Sequence, residues 1–237
     1  MQITKIKQIK NIIIYIISYA NNVIYLIKRT PIKINNKNFI FCKVNISKNN
    51  TAKFIGPRNK LLTININGRN NNITSFASLS KTEIRISGHN NFLLLEKGVT
   101  TLSGTIIIIG NNCSIKIRKN TTLGFDMYIV CMGENNYIDI GQECMIADNV
   151  DIWSSDSHPI YDANNNIINP SKPIIIKNHV WLGKNVKVMK GVTIGENAII
   201  GLNSIITHDI EPSTLNAGSP TKKIKGNVRW ERKHIKI

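Results

Sequence analysis

An all-β solenoid with three flat faces is the fold this sequence predicts, and three observations carry it. An aliphatic residue returns at every sixth position through Ile176, Leu182, Val188, Ile194, Ile200 and Ile206. Four places after the middle anchors come small or β-branched residues, Val186, Val192, Ala198 and Ser204, and Gly183, Gly195 and Gly201 directly follow three anchors. A period of six fits neither a helix nor a single strand. The chain must therefore bury one side chain per short straight segment and then turn, as in a stack of three-sided coils.

Residues 1–30 follow another pattern. Ile6, Ile9, Ile13, Ile16, Ala20, Val23 and Ile27 recur every three or four residues, which predicts an apolar-faced helix that stops near Pro31. Its longest apolar run, Ile12 to Ile17, is too short to span a bilayer. Two uses stay open. Lys5, Lys7, Lys10, Lys28 and Arg29 suit peripheral contact with an anionic membrane; packing on the open solenoid end and on a neighbouring subunit is the favoured use, because a solenoid core needs a cap. The predicted organisation is a helical cap over 1–30, a solenoid domain over 31–221 and a basic tail over 222–237.

In the middle of the chain the repeat is looser. Gly68-Arg69-Asn70-Asn71, Gly88-His89-Asn90-Asn91, Gly110-Asn111-Asn112 and Gly133-Glu134-Asn135-Asn136 separate Ile-rich runs, with glycines 20, 22 and 23 residues apart. Gly and Asn tolerate positive φ, so these segments read as one corner of successive coils. Ile106 to Ile109 reads as a buried strand. A strict block resumes at Ile140, Ile146 and Ile152, breaks over 154–173, and returns at Ile176. An insertion in a periodic prism must leave it as a loop, and such loops tend to carry function.

With 237 residues the chain makes one domain of ordinary size. Its net charge of +17 suits an anionic partner. Lysines are scattered among overused Asn and Ile, however, and no nucleic-acid-binding motif is present, which argues against nucleic acid. Cys42, Cys113, Cys131 and Cys144 form no C-x-x-C pair; they read as small apolar filling in a reduced, cytoplasmic interior, with Cys113 and Cys131 placed to stack one turn apart.

The interruption reads Ser154-Ser155-Asp156-Ser157-His158-Pro159-Ile160-Tyr161-Asp162. A histidine at the root of an excursion, beside two carboxylates, suits a general base, since imidazole titrates near neutrality and a carboxylate can fix its tautomer. Ser155, Asp156, Tyr161 and Trp153 are the candidates for binding a substrate or orienting the base. Trp153 and Trp181 are too large for a narrow coil interior, so both should face outward, Trp153 toward a substrate or toward a neighbouring subunit. His158, His179 and His208 are 21 and 29 residues apart, a spacing that does not suit a metal site.

The run VDIWSSDSHPIYD, followed by PIIIKNHVWLGKNVKVMKGVTIGENAIIGLNSIITHDIEPSTLNAGSPTKKIKG, resembles the left-handed β-helix acyltransferases of the hexapeptide-repeat superfamily. The resemblance is to the branch of galactoside, maltose and surface-polysaccharide O-acetyltransferases, and is specific over about 140–226. It implies a left-handed parallel β-helix, a homotrimer, and transfer from acetyl-CoA to a saccharide hydroxyl at a site between subunits. His158 matches the family's base. Trp181 and Gly183, in Val180-Trp181-Leu182-Gly183, match its donor-side motif. Leu202, Ser204 and Thr207 would flank the pantetheine arm, and Lys222 and Lys225 would meet the phosphates of coenzyme A. Thr221 and His208 depart from the family pattern, where a small residue and a lysine are usual. The acceptor implied is a capsule, O-antigen or related surface glycan, anionic or lipid-linked. A free sugar or serine is the alternative acceptor, and a non-catalytic scaffold the alternative role.

Overall fold

The computed structural model describes residues 14–18, 23–27, 32–34, 39–40 and 42–235, with side chains from residue 42 onward. From Ile32 the chain winds as a parallel β-solenoid whose strands stack into three sheets, one per face, of eight, ten and eight strands. In each coil the chain visits a first face (such as Phe92–Leu95), a second (Thr100–Thr101) and a third (Gly104–Asn111) before returning to the first. Every coil-to-coil pairing is parallel until Lys222–Lys225 closes the second face antiparallel to Leu215–Ala217. Among the described residues there is no helix.

The six-residue period is visible as burial. Ile176, Leu182, Val188, Ile194, Ile200 and Ile206 are all buried, as are Val186, Val192, Ala198 and Ser204 at the intervening corners. Each short segment therefore spends one side chain on a single continuous core. The expected Gly-Asn corners also align, with Gly68, Gly88, Gly110 and Gly133 paired in register. Their φ angles run from 107° to 130°, and a Cβ on Gly88 would stand 1.9 Å from the Gly110 carbonyl oxygen, so this corner admits only glycine.

Inside that corner the buried amides form a ladder. Asn71, Asn91 and Cys113 donate their backbone N–H to the Oδ1 of Asn50, Asn71 and Asn91, at 2.9, 3.0 and 2.9 Å. Asn71 and Asn91 in turn donate Nδ2–H to the carbonyls of Gly88 and Gly110. All four cysteines are buried. Cys113 and Cys131 share a thiol–thiol hydrogen bond that draws Cys113 down to about 7 and, with burial, pushes Cys131 up. Of the Ile106 to Ile109 run, Ile106 to Ile108 are buried within an eight-residue strand, whereas Ile109 is a correction, exposed near the end of the arm.

The N-terminal helix is corrected where the chain is described. Ile14–Ser18 and Val23–Ile27 are strands paired antiparallel, Ser18 opposite Val23 and Ile14 opposite Ile27. A three-to-four spacing built mainly from Ile and Val uses residues that favour strands, and the pairing prevails over the helical period. Ile6, Ile9, Ile13, Ala20 and the lysines at 5, 7, 10 and 28 lie outside the described residues.

Candidate active site

The amide ladder ends where the period breaks. Asn136 donates Nδ2–H to the Ser154 hydroxyl at 3.0 Å, and that hydroxyl also accepts Met132 N–H at 3.1 Å. Ser154 is wholly buried, and its carbonyl accepts Lys172 N–H at 3.0 Å as the chain returns. One buried serine thus ties both ends of the 154–173 excursion to the corner between the third and first faces. Ser171 closes the glycine stack, its hydroxyl 2.1 Å from where a Gly133 Cβ would lie.

A second anchor crosses the loop. Lys190, from the coil above, binds the Asp156 carboxylate and donates to the Asn169 carbonyl at 2.9 Å. Asn169 spans the hairpin: Nδ2 donates to Asp156 Oδ2 and to the His158 carbonyl, each at 2.9 Å, and Oδ1 accepts Ile160 N–H at 2.6 Å. The Lys190 ammonium, then the Asn169 amide, hold the Asp156 carboxyl below the usual carboxylate range. Tyr161 bridges Ile167 further out, and Asp162 accepts the Asn164 and Asn166 amides at the tip. The backbone of His158 is therefore fixed, by its N–H to the Asp156 carbonyl at 2.8 Å and by Asn169 on its own carbonyl.

The imidazole itself is exposed and makes no hydrogen bond within the described residues. The Asp156 carboxylate is committed to Lys190 and Asn169, and its residue meets His158 through the loop backbone. Ser155 lies beside it, with Oγ accepting Ser157 N–H at 3.1 Å. Trp153 faces outward on the third face, its ring 5.5 Å from that of Tyr128. Sequence reasoning passed over Lys190 and Asn169. An Asn-Pro just before the period resumes was the available signal for the second.

Trp181 also faces outward, on the second face in register with Met145 and Ile199. Along the same row Ile199 pairs with Leu215 and Leu215 with Lys225. Lys225 thus lies three strand spacings from Trp181, about 14 Å. Lys222 and Lys225 are exposed with no acidic partner among the described residues, whereas Lys223 pairs with Glu211. Gly183 is buried, and its Cβ would meet Ile200 O at 2.8 Å. Leu202 is exposed at the corner between the second and third faces, and Thr207 is exposed beyond it on the third. Ser204 is a correction: its side chain is buried, with Oγ donating to Gly201 O at 2.8 Å and accepting Gly218 N–H at 3.1 Å. It braces the strand leading to Lys222 and has no surface to offer a donor. Thr221 is likewise buried. Among the described residues no group of three His, Cys, Asp or Glu side chains could hold a metal ion.

One chain does not bring these parts together. His158 leaves the corner between the third and first faces, while Trp181 and Lys225 lie on the second face, opposite that corner of the triangular section.

Residues 173–208 match the family model described as bacterial transferase hexapeptide (six repeats). The chain is 36% identical over 170 residues to a polysialic acid O-acetyltransferase of Neisseria meningitidis, spanning 70% of this chain and 78% of that one. The chain belongs to the hexapeptide-repeat O-acetyltransferases. Within this family it is also 38% identical over 113 residues to the galactoside O-acetyltransferase of Escherichia coli K12, covering 47% of this chain and 54% of the relative. The solved polysialic acid O-acetyltransferase OatWY superposes with a TM-score of 0.68 at 32% identity, covering 84% of this chain and 91% of that one. The polySia-specific acetyltransferase NeuO gives 0.63 at 31%, over 83% and 85%.

Proposed function

We propose that this acetyltransferase moves the acetyl group of acetyl-CoA onto a hydroxyl of an anionic capsular or related surface polysaccharide, at a site shared by two subunits of a homotrimer in the cytoplasm. The observation that carries the shared site is the placement of His158 and Trp181 on opposite sides of one prism. If both act on one reaction, they come from different chains, and closed cyclic assemblies are the default for homo-oligomers. The left-handed winding follows from the family.

In this reading the neutral His158 imidazole takes the proton from the acceptor hydroxyl as its oxygen attacks the thioester carbonyl. The tetrahedral intermediate then collapses, the C–S bond breaks, and the departing thiolate takes the proton from His158. Anchoring by Asn169 and Lys190 keeps the base in place without spending a carboxylate on its ring. Trp181 meets the donor arm, and Lys222 and Lys225 lie toward its phosphates. Trp153 and Tyr128 offer aromatic faces on the acceptor side of the excursion.

The polymer acceptor is supported by the identity to polysialic acid O-acetyltransferases over most of the chain, and the net charge of +17 suits an acidic glycan. Thiol release from acetyl-CoA, followed with polysialic acid, galactosides and no acceptor, tests this. Release stimulated by the acidic polymer and damped by salt supports the reading. Stimulation by galactosides alone transfers the acceptor to small sugars, and no stimulated release by any glycan overturns it. Light scattering reports the assembly; a mass near 26.6 kDa would remove the shared site.

A further inference from the structure

Residues 226–235 do not hang free. After Lys225 the chain turns back and runs along the corner between the first and second faces, against the direction of winding. Val228 N–H donates to Ser213 O at 3.0 Å. Trp230 is 6% exposed, with Nε1–H donating to His179 O at 2.8 Å. Its ring stacks on the His179 imidazole at 4.2 Å and 11°. Arg232 reaches two coils further, donating to the carbonyls of Cys144 at 2.6 Å and Asn120 at 3.1 Å and to the Thr122 hydroxyl at 2.9 Å. His179 itself is held by Asn197 Oδ1, 2.9 Å from Nδ1.

This strap ends its stack on Trp181: the two indoles are 5.9 Å apart, inclined at 47°. Trp181 occupies a two-residue strand, with only Met145 and Ile199 as row neighbours on its own face. Neither neighbour is aromatic, so nothing else among the described residues presents a flat wall to the indole.

We propose that residues 226–235 form a donor-side clamp, in which Trp230 is a positioning residue that sets the Trp181 ring and Arg232 is the tether that keeps Trp230 in place. A half-exposed indole on an open sheet has several rotamers, and holding it against a buried ring removes that freedom before the ligand arrives. Trp230 has no free surface for the donor, so its effect passes through Trp181. The proposal rests on Trp181 meeting acetyl-CoA, as argued above.

The test uses the full chain in its native assembly and steady-state kinetics with acetyl-CoA and a fixed glycan acceptor. Arg232→Ala cuts the tether and also removes the guanidinium that lies 6.0 Å from the Trp230 ring centroid; the expected result is a rise of about three- to tenfold in the KM for acetyl-CoA, with kcat and the acceptor KM within twofold. Arg232→Lys keeps the charge but gathers its donors on one nitrogen, without the fork by which Nη1 reaches the Thr122 hydroxyl and Nη2 the Asn120 and Cys144 carbonyls, so it should behave like the alanine variant. Full rescue by lysine would mean that charge, not tethering, matters, and would overturn the clamp. Trp230→Phe should be intermediate, because it keeps a stack on His179 and loses the bond to its carbonyl. A purely structural strap would lower Tm in all variants and leave the donor KM unchanged. Trp181→Ala separates the two levels. If it leaves the donor KM unmoved, the donor reading itself falls; if it raises KM while Arg232→Ala does not, only the clamp falls.

Discussion

Two stretches of the solenoid solve the same problem differently. From Thr63 to Glu134 the coils are wide, with third-face strands of seven or eight residues. From Ile174 to Ile206 they are narrow, with two- or three-residue strands on every face. A wide coil must turn sharply at the end of a long arm, and it does so with a glycine stack backed by a buried amide ladder. A narrow coil turns by single left-handed residues such as Asn185, Asn197 and Asn203, at φ near 60°. The corner that ends the long arms in the wide coils is the corner at which the 154–173 excursion leaves. The loop therefore inherits a rigid root from one region, through Asn136 and Ser154, and a latch from the other, through Lys190.

The largest effect expected from this comparison is at the junction itself. His158→Ala should lower acetyl transfer by about a hundred- to ten-thousand-fold, since removal of a general base typically costs that much. Binding of acetyl-CoA by calorimetry should be retained. Near-normal turnover in the alanine variant would move the chemistry out of the junction.

Next comes a test of the two corner designs. Gly88→Ala places a Cβ 1.9 Å from a carbonyl oxygen at a φ of 117° and should cost about 3 kcal/mol. Asn203→Ala, in a narrow coil, keeps an allowed if disfavoured conformation and should cost about 1 kcal/mol. Urea midpoints at matched protein concentration decide between them. Equal losses would mean that wide and narrow corners carry the same constraint.

The narrow coils were the legible part of the sequence, because each hexad reports one buried anchor and nothing overrides it. The wide coils were legible only at their corners, since Gly and Asn mark positive φ whatever the arm length between them. His158 could be found because it breaks a period. The strap could not: Trp230 and Arg232 bond to residues 51 and 110 positions earlier, and no local pattern records a chain turning back along its own stack. Ser204 was misplaced for a related reason. It stands at a hexad corner where either a small buried filler or a surface hydroxyl would suit the sequence, and only its bond to Gly218 decides.

The latch contributed by the narrow coils should matter less than the base. Lys190→Ala releases Asp156 and one bond to Asn169, leaving Ser154 and the hairpin in place. Turnover should fall about tenfold, because a misplaced base loses rate without losing its chemistry, while Tm stays within about two degrees. Lys190→Arg should retain most of the activity if it reaches Asp156. A loss as deep as that of His158→Ala would mean that Lys190 itself takes part in the chemistry.

The smallest effect separates the latch from the base by pH. The folded Asp156 carboxyl titrates below its unfolded value of about 3.9. A carboxylate shifted in that direction adds its stabilisation above the unfolded value and loses it as pH falls through the folded one. The latch is therefore intact at every pH above about 5 and loosens only in stronger acid. Amide exchange across Ile160 to Ile168, corrected for the intrinsic pH dependence, should be flat from pH 8 to 5 and rise below that. In Lys190→Ala the same amides should already exchange faster at pH 7 and change less on acidification. A wild-type loop that loosens between pH 7 and 5 would mean that some group other than Asp156 holds it.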